Sequence, residues 1–378
     1  MKRIGKLIML LFLPFGILIA SVVVKANEFN FSVSAQLPDN QVNQNVSYFD
    51  LLLPIGEKQK LIVELSNSTD KTVIVEANVA SATTNLNGVV EYSPNEIEPD
   101  KTLKYNIQNY AKISNEIILE PQTTQNVEIE VEMPNEVFSG VIAGGLTFKE
   151  KAGEASKEEG QGLTINNEYA YVVALLMRQN EEALAPNLEL NEVVAGQVNY
   201  RNVINANLSN TQMSYLNQMR VEASVQGVDD TSVLYQTNKE SMQMAPNTNF
   251  DFPVALNGER LKPGSYQLKM TVFGQSNPEG QYVAKNESGE EEKFDYRWEF
   301  TRDFIITAEE AKTLNKQDVT VKPENTWINW SAIGGVLLLL TFLLFIILWK
   351  RRKKEEQTEE ELERIQELER LLGESSLS

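Results

Sequence analysis

The strongest constraint in this chain is a period-two alternation that recurs along most of its length. Val127, Ile129, Val131 and Met133 alternate with Glu128, Glu130 and Glu132. Only an extended backbone puts the four apolar side chains on one face and the three carboxylates on the other. The same pattern opens with Phe29, Phe31, Val33, Ala35 and Leu37. It returns in Tyr266, Leu268, Met270 and Val272 after Pro263-Gly264, and again in Phe294, Tyr296, Trp298 and Phe300. Further β-rich runs over 61–65, 73–79, 137–148, 169–177, 203–208 and 221–225 are bounded by Asn, Asp, Gly and Pro, and Asn87-Gly88 suits a tight hairpin turn. Many short strands with almost no helical periodicity before Ala308 predict an all-β chain built as two tandem immunoglobulin-like antiparallel β-sandwich domains.

The ends suggest a compartment. Lys2, Arg3 and Lys6 precede a charge-free run from Leu7 to Val24, and Val24-Lys25-Ala26 supplies small residues where a signal peptidase reads, so residues 1–26 are expected to be a signal peptide. Residues 327–349 carry no charge, enough at ~1.5 Å per residue to cross a hydrocarbon core of roughly 30 Å, so a transmembrane helix is expected there. Trp327, Trp330 and Trp349 edge this run, and Lys350-Arg351-Arg352-Lys353-Lys354 follows. The excess of cations on that side predicts a single-pass cell-membrane protein with its N-terminal domains extracellular and residues 350–378 as a cytoplasmic tail. Leu362, Ile365, Leu368 and Leu372 place one apolar stripe on a short helix in that tail. No Leu-Pro-x-Thr-Gly motif precedes Trp327, so the anchor is expected to stay in the bilayer.

Composition removes most chemistry. The chain has no Cys and no His, which excludes thiolate nucleophiles, Ser-His-Asp arrangements and imidazole proton shuttles, and leaves no metal or cofactor site to expect. With 34 Lys and Arg against 53 Asp and Glu, the net charge of −19 is the wrong sign for a phosphate backbone, so nucleic acid is not an expected partner. An extracytoplasmic chain without cysteine points to a Gram-positive exoprotein. The Asn-x-Ser/Thr sequons at Asn45, Asn67, Asn207 and Asn286 are then chance occurrences.

Apolar content collapses over Lys149 to Gly162, which suggests a first domain over 27–162 and a second over 163–310, followed by a tether at 311–326. The collapsed stretch also reads as a long hairpin tip with 169–177 returning as the last strand of the first domain, which would move the division as late as Pro186. Ala308 to Leu314 reads as a short helix.

The order of several segments carries a resemblance. Tyr48-Phe49-Asp50-Leu51, Pro54-Ile55-Gly56, Asn67 and Ala82-Thr83-Thr84-Asn85-Leu86-Asn87-Gly88 with Tyr92 are followed by Met133-Pro134 and Phe138-Ser139-Gly140-Val141-Ile142-Ala143-Gly144-Gly145. Asn167-Glu168-Tyr169-Ala170-Tyr171 and Met244-Ala245-Pro246-Asn247 with Phe250 come next, and the chain resembles the WxL-interacting proteins of Gram-positive bacteria. Ile55 interrupts the Pro-Gly pair of that pattern and shifts the local turn by one residue. The resemblance implies an N-terminal peptidoglycan-binding module, a second module that attaches host extracellular-matrix proteins, and partnership with WxL-domain surface proteins.

Tyr48 and Phe49 are candidates for stacking on a sugar ring, against the competing reading that they pack in the core beside Leu51, Leu52 and Leu53. Thr84, Asn85 and Asn87 carry groups that read saccharide hydroxyls, against their ordinary use in a turn. Gly140, Gly144 and Gly145 suggest close backbone approach or a bulge in a strand. No pair of carboxylates stands out for glycoside hydrolysis, so a non-enzymatic binding protein is expected, with strand edges as its contacts. The alternative reading is a chaperone-like assembly factor that lends an edge strand to newly secreted surface proteins.

Overall fold

The structure is a computed structural model that describes residues 30–151, 169–228, 230–286, 288–322 and 326–375. The expected signal peptide and the expected break at residue 162 lie outside the described residues. The chain is mainly β, as the alternation predicts.

Two sheets face each other in the first half. One has β1 (Phe31–Gln36), β3 (Lys58–Asn67), β9 (Thr123–Glu132) and β7 (Ala111–Lys112) side by side in that order. The other runs β2 (Phe49–Leu52), β11 (Ala170–Arg178), β10 (Ile142–Glu150), β4 (Val73–Ser81) and β8 (Glu116–Leu119). All neighbours are antiparallel except β2 and β11. The alternation sets the faces: Val127, Ile129 and Val131 are buried while Glu128 and Glu130 are exposed. Together with Leu61, Val63, Leu65, Phe148 and Leu175 they form one core, which removes the apolar area that drives folding from water. Strand β11 belongs to this first sandwich by its pairing with β10 and β2.

The glycine pair in β10 has a packing cause. A Cβ at Gly144 would lie 2.4 Å from the Ala80 carbonyl oxygen and 2.5 Å from Ile107, and one at Gly145 would lie 2.6 Å from the Tyr92 Cβ. Both faces of the strand are approached too closely for any side chain.

The second half repeats the plan. A sheet of β12 (Leu188–Val198), β13 (Arg201–Asn210) and β16 (Thr248–Ala255) faces a sheet ordered β15 (Asp230–Met244), β14 (Leu216–Gly227), β17 (Gly264–Ser276), β19 (Glu291–Ile306) and β18 (Tyr282–Lys285). Leu208, Phe252, Val221 and Leu268 are among the residues of its own core.

Helix α1 (Ala308–Gln317) closes one end of this sandwich. Thr307 and Glu310 form a reciprocal capping box at its start, and Ala311 is buried against the core. The helix runs past the expected Leu314 into the stretch expected as a tether. Asn315 bridges the backbone of Leu261 by accepting from its N–H and donating to its carbonyl, both at 2.9 Å. Asp318 accepts from the Asn202 N–H at 2.6 Å. A separate unit holds α2 (Thr326–Ser375), a helix that includes a stretch, Ile333–Gln366, long and apolar enough to cross a membrane.

Candidate functional site

A small hairpin leaves the first sandwich after β4 and forms the joint with the second. Its strands β5 (Thr83–Thr84) and β6 (Val90–Glu91) pair across a loop built by one side chain. The Asn85 carboxamide oxygen accepts from the N–H groups of Asn87 and Val89, and its amide donates to Glu91 at 2.6 Å. Asn85 therefore spends its polar groups on the turn, as Asn does when it mimics a backbone bend. Asn87 remains exposed at the tip, and Gly88 sits at φ +69° with its carbonyl accepting from the Gln243 N–H at 2.7 Å.

Thr84 points the other way. It is fully buried, and its hydroxyl accepts from the Ala245 N–H at 3.1 Å and lies 2.7 Å from the Thr248 hydroxyl. Thr248 in turn donates to the Ala245 carbonyl. The arrangement closes a ring in which every buried polar group has a partner, with the Thr84 proton directed to Thr248. Ala82, Val141, Ala143, Leu176 and Ala245 make a small apolar cluster around it, with Tyr48, Val90, Tyr92 and Tyr215 packed alongside. The Tyr92 and Tyr215 hydroxyls meet at 3.1 Å, and burial pushes both phenols up, Tyr215 well above the ordinary value.

Asp100 makes a further contact across the joint. Its carboxylate accepts from the Thr102 N–H at 2.8 Å, from the Thr102 hydroxyl at 2.7 Å and from the Ser209 hydroxyl of the second sandwich at 2.5 Å. Burial pushes the Asp100 carboxyl up, but the hydrogen bonds from Ser209, Thr102 and Asn249 outweigh it and hold the group below its usual range.

A cleft of about 160 Å³ opens beside this joint. Ser81, Thr83, Asn95, Asn106 and Gln108 line it from the first sandwich, and Asn247 and Asn249 from the second. Pro94, Ile97, Pro99 and Leu103 give it apolar wall, and its charged lining residues among the described residues are Glu98 and Asp100. Such a cleft is built to take a neutral, hydroxyl- and amide-bearing group, with carboxylates that disfavour anions.

The sequence candidates are dispersed by the fold. Phe49 is the first residue of β2, not a loop residue, and is fully buried among core side chains, so its ring has no face free for a sugar. Tyr48 is half-buried at the joint cluster. Thr84 is a joint residue and Asn85 a turn residue, while Asn87 alone of the five is exposed. The residue next to Thr84, Thr83, is the one that faces the cleft. Sequence reasoning passed over Asn95, Gln108 and Asn249, because no periodicity marks an irregular segment and none connects residues so far apart in the chain. Beside Tyr48, Asp50 meets Arg178 through two hydrogen bonds of 2.9 Å, which tie β2 to β11. Burial raises the Asp50 carboxyl more than Arg178 lowers it.

No curated protein matches the chain. Solved structures share a broad likeness. The class 5 fimbriae chaperone CfaA is 14% identical over 71% of this chain and 100% of its own, at a TM-score of 0.27. The Salmonella enterica SafA pilin–SafB chaperone complex gives 10% identity over 73% and 98%, at 0.28. The E. coli chaperone DraB gives 12% over 73% and 98%, at 0.26. With TM-scores this low these likenesses carry no functional argument. The family comparison is of another kind: residues 31–150 match the peptidoglycan binding domain of the WxL Interacting Protein family, and residues 160–316 match its host binding domain. Two models of one family, matched in tandem across both sandwiches, show that the chain belongs to the WxL-interacting proteins.

Proposed function

We propose that this chain is a membrane-anchored adaptor of the cell surface that holds peptidoglycan with its first sandwich and a WxL-domain protein or host matrix protein with its second, without catalysis. The observation that carries this reading is the tandem match of two binding-domain models to a chain with two separately cored sandwiches, the second match taking in β11 of the first sandwich as well as the whole second one. The immunoglobulin-like domains divide between Arg178 and Leu188 in this reading, α2 anchors them, and the sandwiches face outward with residues 350–378 in the cytoplasm.

The joint cleft is the proposed saccharide contact. For the protein partner, β15 offers the longest edge: it is the outermost strand of its sheet, and Val233 and Leu234 within it are 56% and 44% exposed. An edge of that length supplies backbone donors and acceptors to an incoming strand.

The test uses the full chain in detergent with purified sacculi and with WxL-domain proteins. Sedimentation with sacculi and stable co-purification of a WxL protein are expected, the latter lost in Val233→Lys, which places a charge on the edge. A chain that does neither overturns the reading.

A further inference from the structure

The two ends of the second sandwich differ. One end carries the joint, with Tyr215, Ala245, Thr248 and Ser209 in contact with the first sandwich. At the opposite end lie the β12–β13 turn, the loop before β17, the end of β19 and helix α1. The pairing fixes this, since Val198 pairs with Arg201, Val203 with Ala255, and Gly264 with Ile306.

That opposite end exposes apolar side chains where a solvated rim would be polar. Ile305 is 71% exposed and pairs with Ser265. Val228, 48% exposed, donates its N–H to the Ser265 carbonyl, so the small Ser265 sits between two open aliphatic side chains. On the facing sheet, Tyr200 is 71% exposed at the tip of a two-residue turn, with Arg201 exposed beside it. Asn199 and Tyr200 take φ of +50° and +58°. Glycine is the usual second residue of such a turn, and a tyrosine there is strained. An aromatic ring kept in a strained position and turned to the outside points to a use for the ring.

The chain itself says what this end meets. Asp318 is pinned to it through Asn202, and only residues 319–325 separate Asp318 from the start of α2 at Thr326. Fully extended, that stretch reaches at most about 28 Å, an upper bound set by the covalent chain.

We propose that the Tyr200, Val228 and Ile305 rim rests in the headgroup layer of the membrane that α2 crosses. The inference rests on the anchoring proposed above. Tyrosine is suited to that depth because its ring is apolar and its hydroxyl is wet, and the exposed Arg201 and Lys262 are available to phosphates, against the exposed Glu259 on the same loop and Glu309 at the start of α1.

The absence of cysteine makes the test clean. Tyr200→Cys, Ile305→Cys and, on the first sandwich, Ser34→Cys are each labelled with an environment-sensitive fluorophore in the full chain. The labelled chains are reconstituted into phosphatidylcholine–phosphatidylglycerol vesicles carrying headgroup nitroxides. Flotation reports anchoring, and circular dichroism reports the fold. Quenching of about twofold or more is expected at 200 and 305, and none at 34, as for groups in and out of the interface. A chain that floats but shows no quenching at 200 and 305 overturns this inference and leaves anchoring intact. A chain that does not float overturns both.

Discussion

The Thr84 hydroxyl lies 2.7 Å from the Thr248 hydroxyl, and these two side chains, one from each sandwich, complete a hydrogen-bonded ring with the backbone of Ala245. The joint is therefore specified by polar geometry as well as by apolar contact, and its residues couple the two halves.

Thr84→Val keeps the shape but removes the acceptor of the Ala245 N–H. A buried donor left without a partner costs about 1–3 kcal/mol. Chemical denaturation of the full chain is expected to show that loss, and Thr84→Ser is expected to recover most of it.

Gly88→Ala and Gly140→Ala both place a Cβ at positive φ, yet they meet different obstacles. At Gly88 the new atom would lie 2.4 Å from the Met242 Cε, the end of a flexible side chain, and 2.8 Å from its Cβ. At Gly140 it would lie 2.2 Å from the Met213 carbonyl oxygen, which also accepts from the Val141 N–H at 2.7 Å. Backbone does not yield as a thioether does, so Gly140→Ala is expected to destabilise more, measured by thermal midpoints of the two variants.

The joint should weaken at both extremes of pH. Asp100 has a folded pKa below its ordinary value near 3.9, so its contribution is present above that value and disappears as pH falls through the folded pKa. Tyr92 and Tyr215 have folded pKa values above the ordinary ~10, so theirs is present below pH ~10 and disappears as pH rises through the folded values. A thermal-midpoint profile with Asp100→Asn flattening the acid limb, and Tyr92→Phe changing the alkaline limb, checks both signs.

Asn95→Ala and Phe49→Ala separate binding from folding. Asn95 is exposed at the cleft, where it donates to the Thr83 hydroxyl at 2.7 Å and accepts from the Ile97 N–H at 3.0 Å, and its loss is expected to weaken sacculus binding about fivefold while costing about 1 kcal/mol of stability, too little to unfold the chain. Phe49→Ala empties a buried site and is expected to cost about 3–5 kcal/mol, seen in denaturation, with sacculus binding lost only where the fold is lost.

Tyr200→Gly removes turn strain and is expected to raise stability by about 1 kcal/mol while reducing quenching of a label at residue 305 in the vesicle experiment. A variant that is stabilised with quenching unchanged would assign the ring no part in membrane contact.

Strand character was legible wherever one face of a strand is buried and the other wet, as at Val127 to Glu132, because pleating converts sequence parity directly into burial. The segments of the family resemblance were legible by their order, and the glycines of β10 as a close approach. The cleft was not legible. Asn95 and Asn249 come from different sandwiches, and neither the periodicity nor the spacing of a one-dimensional pattern encodes a distance between them.

The sequence by itself determined an all-β chain, its family and a segment apolar enough for a bilayer, because each follows from local alternation, residue order or a continuous apolar run. Only the tertiary structure decided that Phe49 is core, that Thr84 hydrogen-bonds the second sandwich, and which rim carries Tyr200. Those outcomes depend on strand order and on what packs against a given face, and residues far apart in the chain supply both.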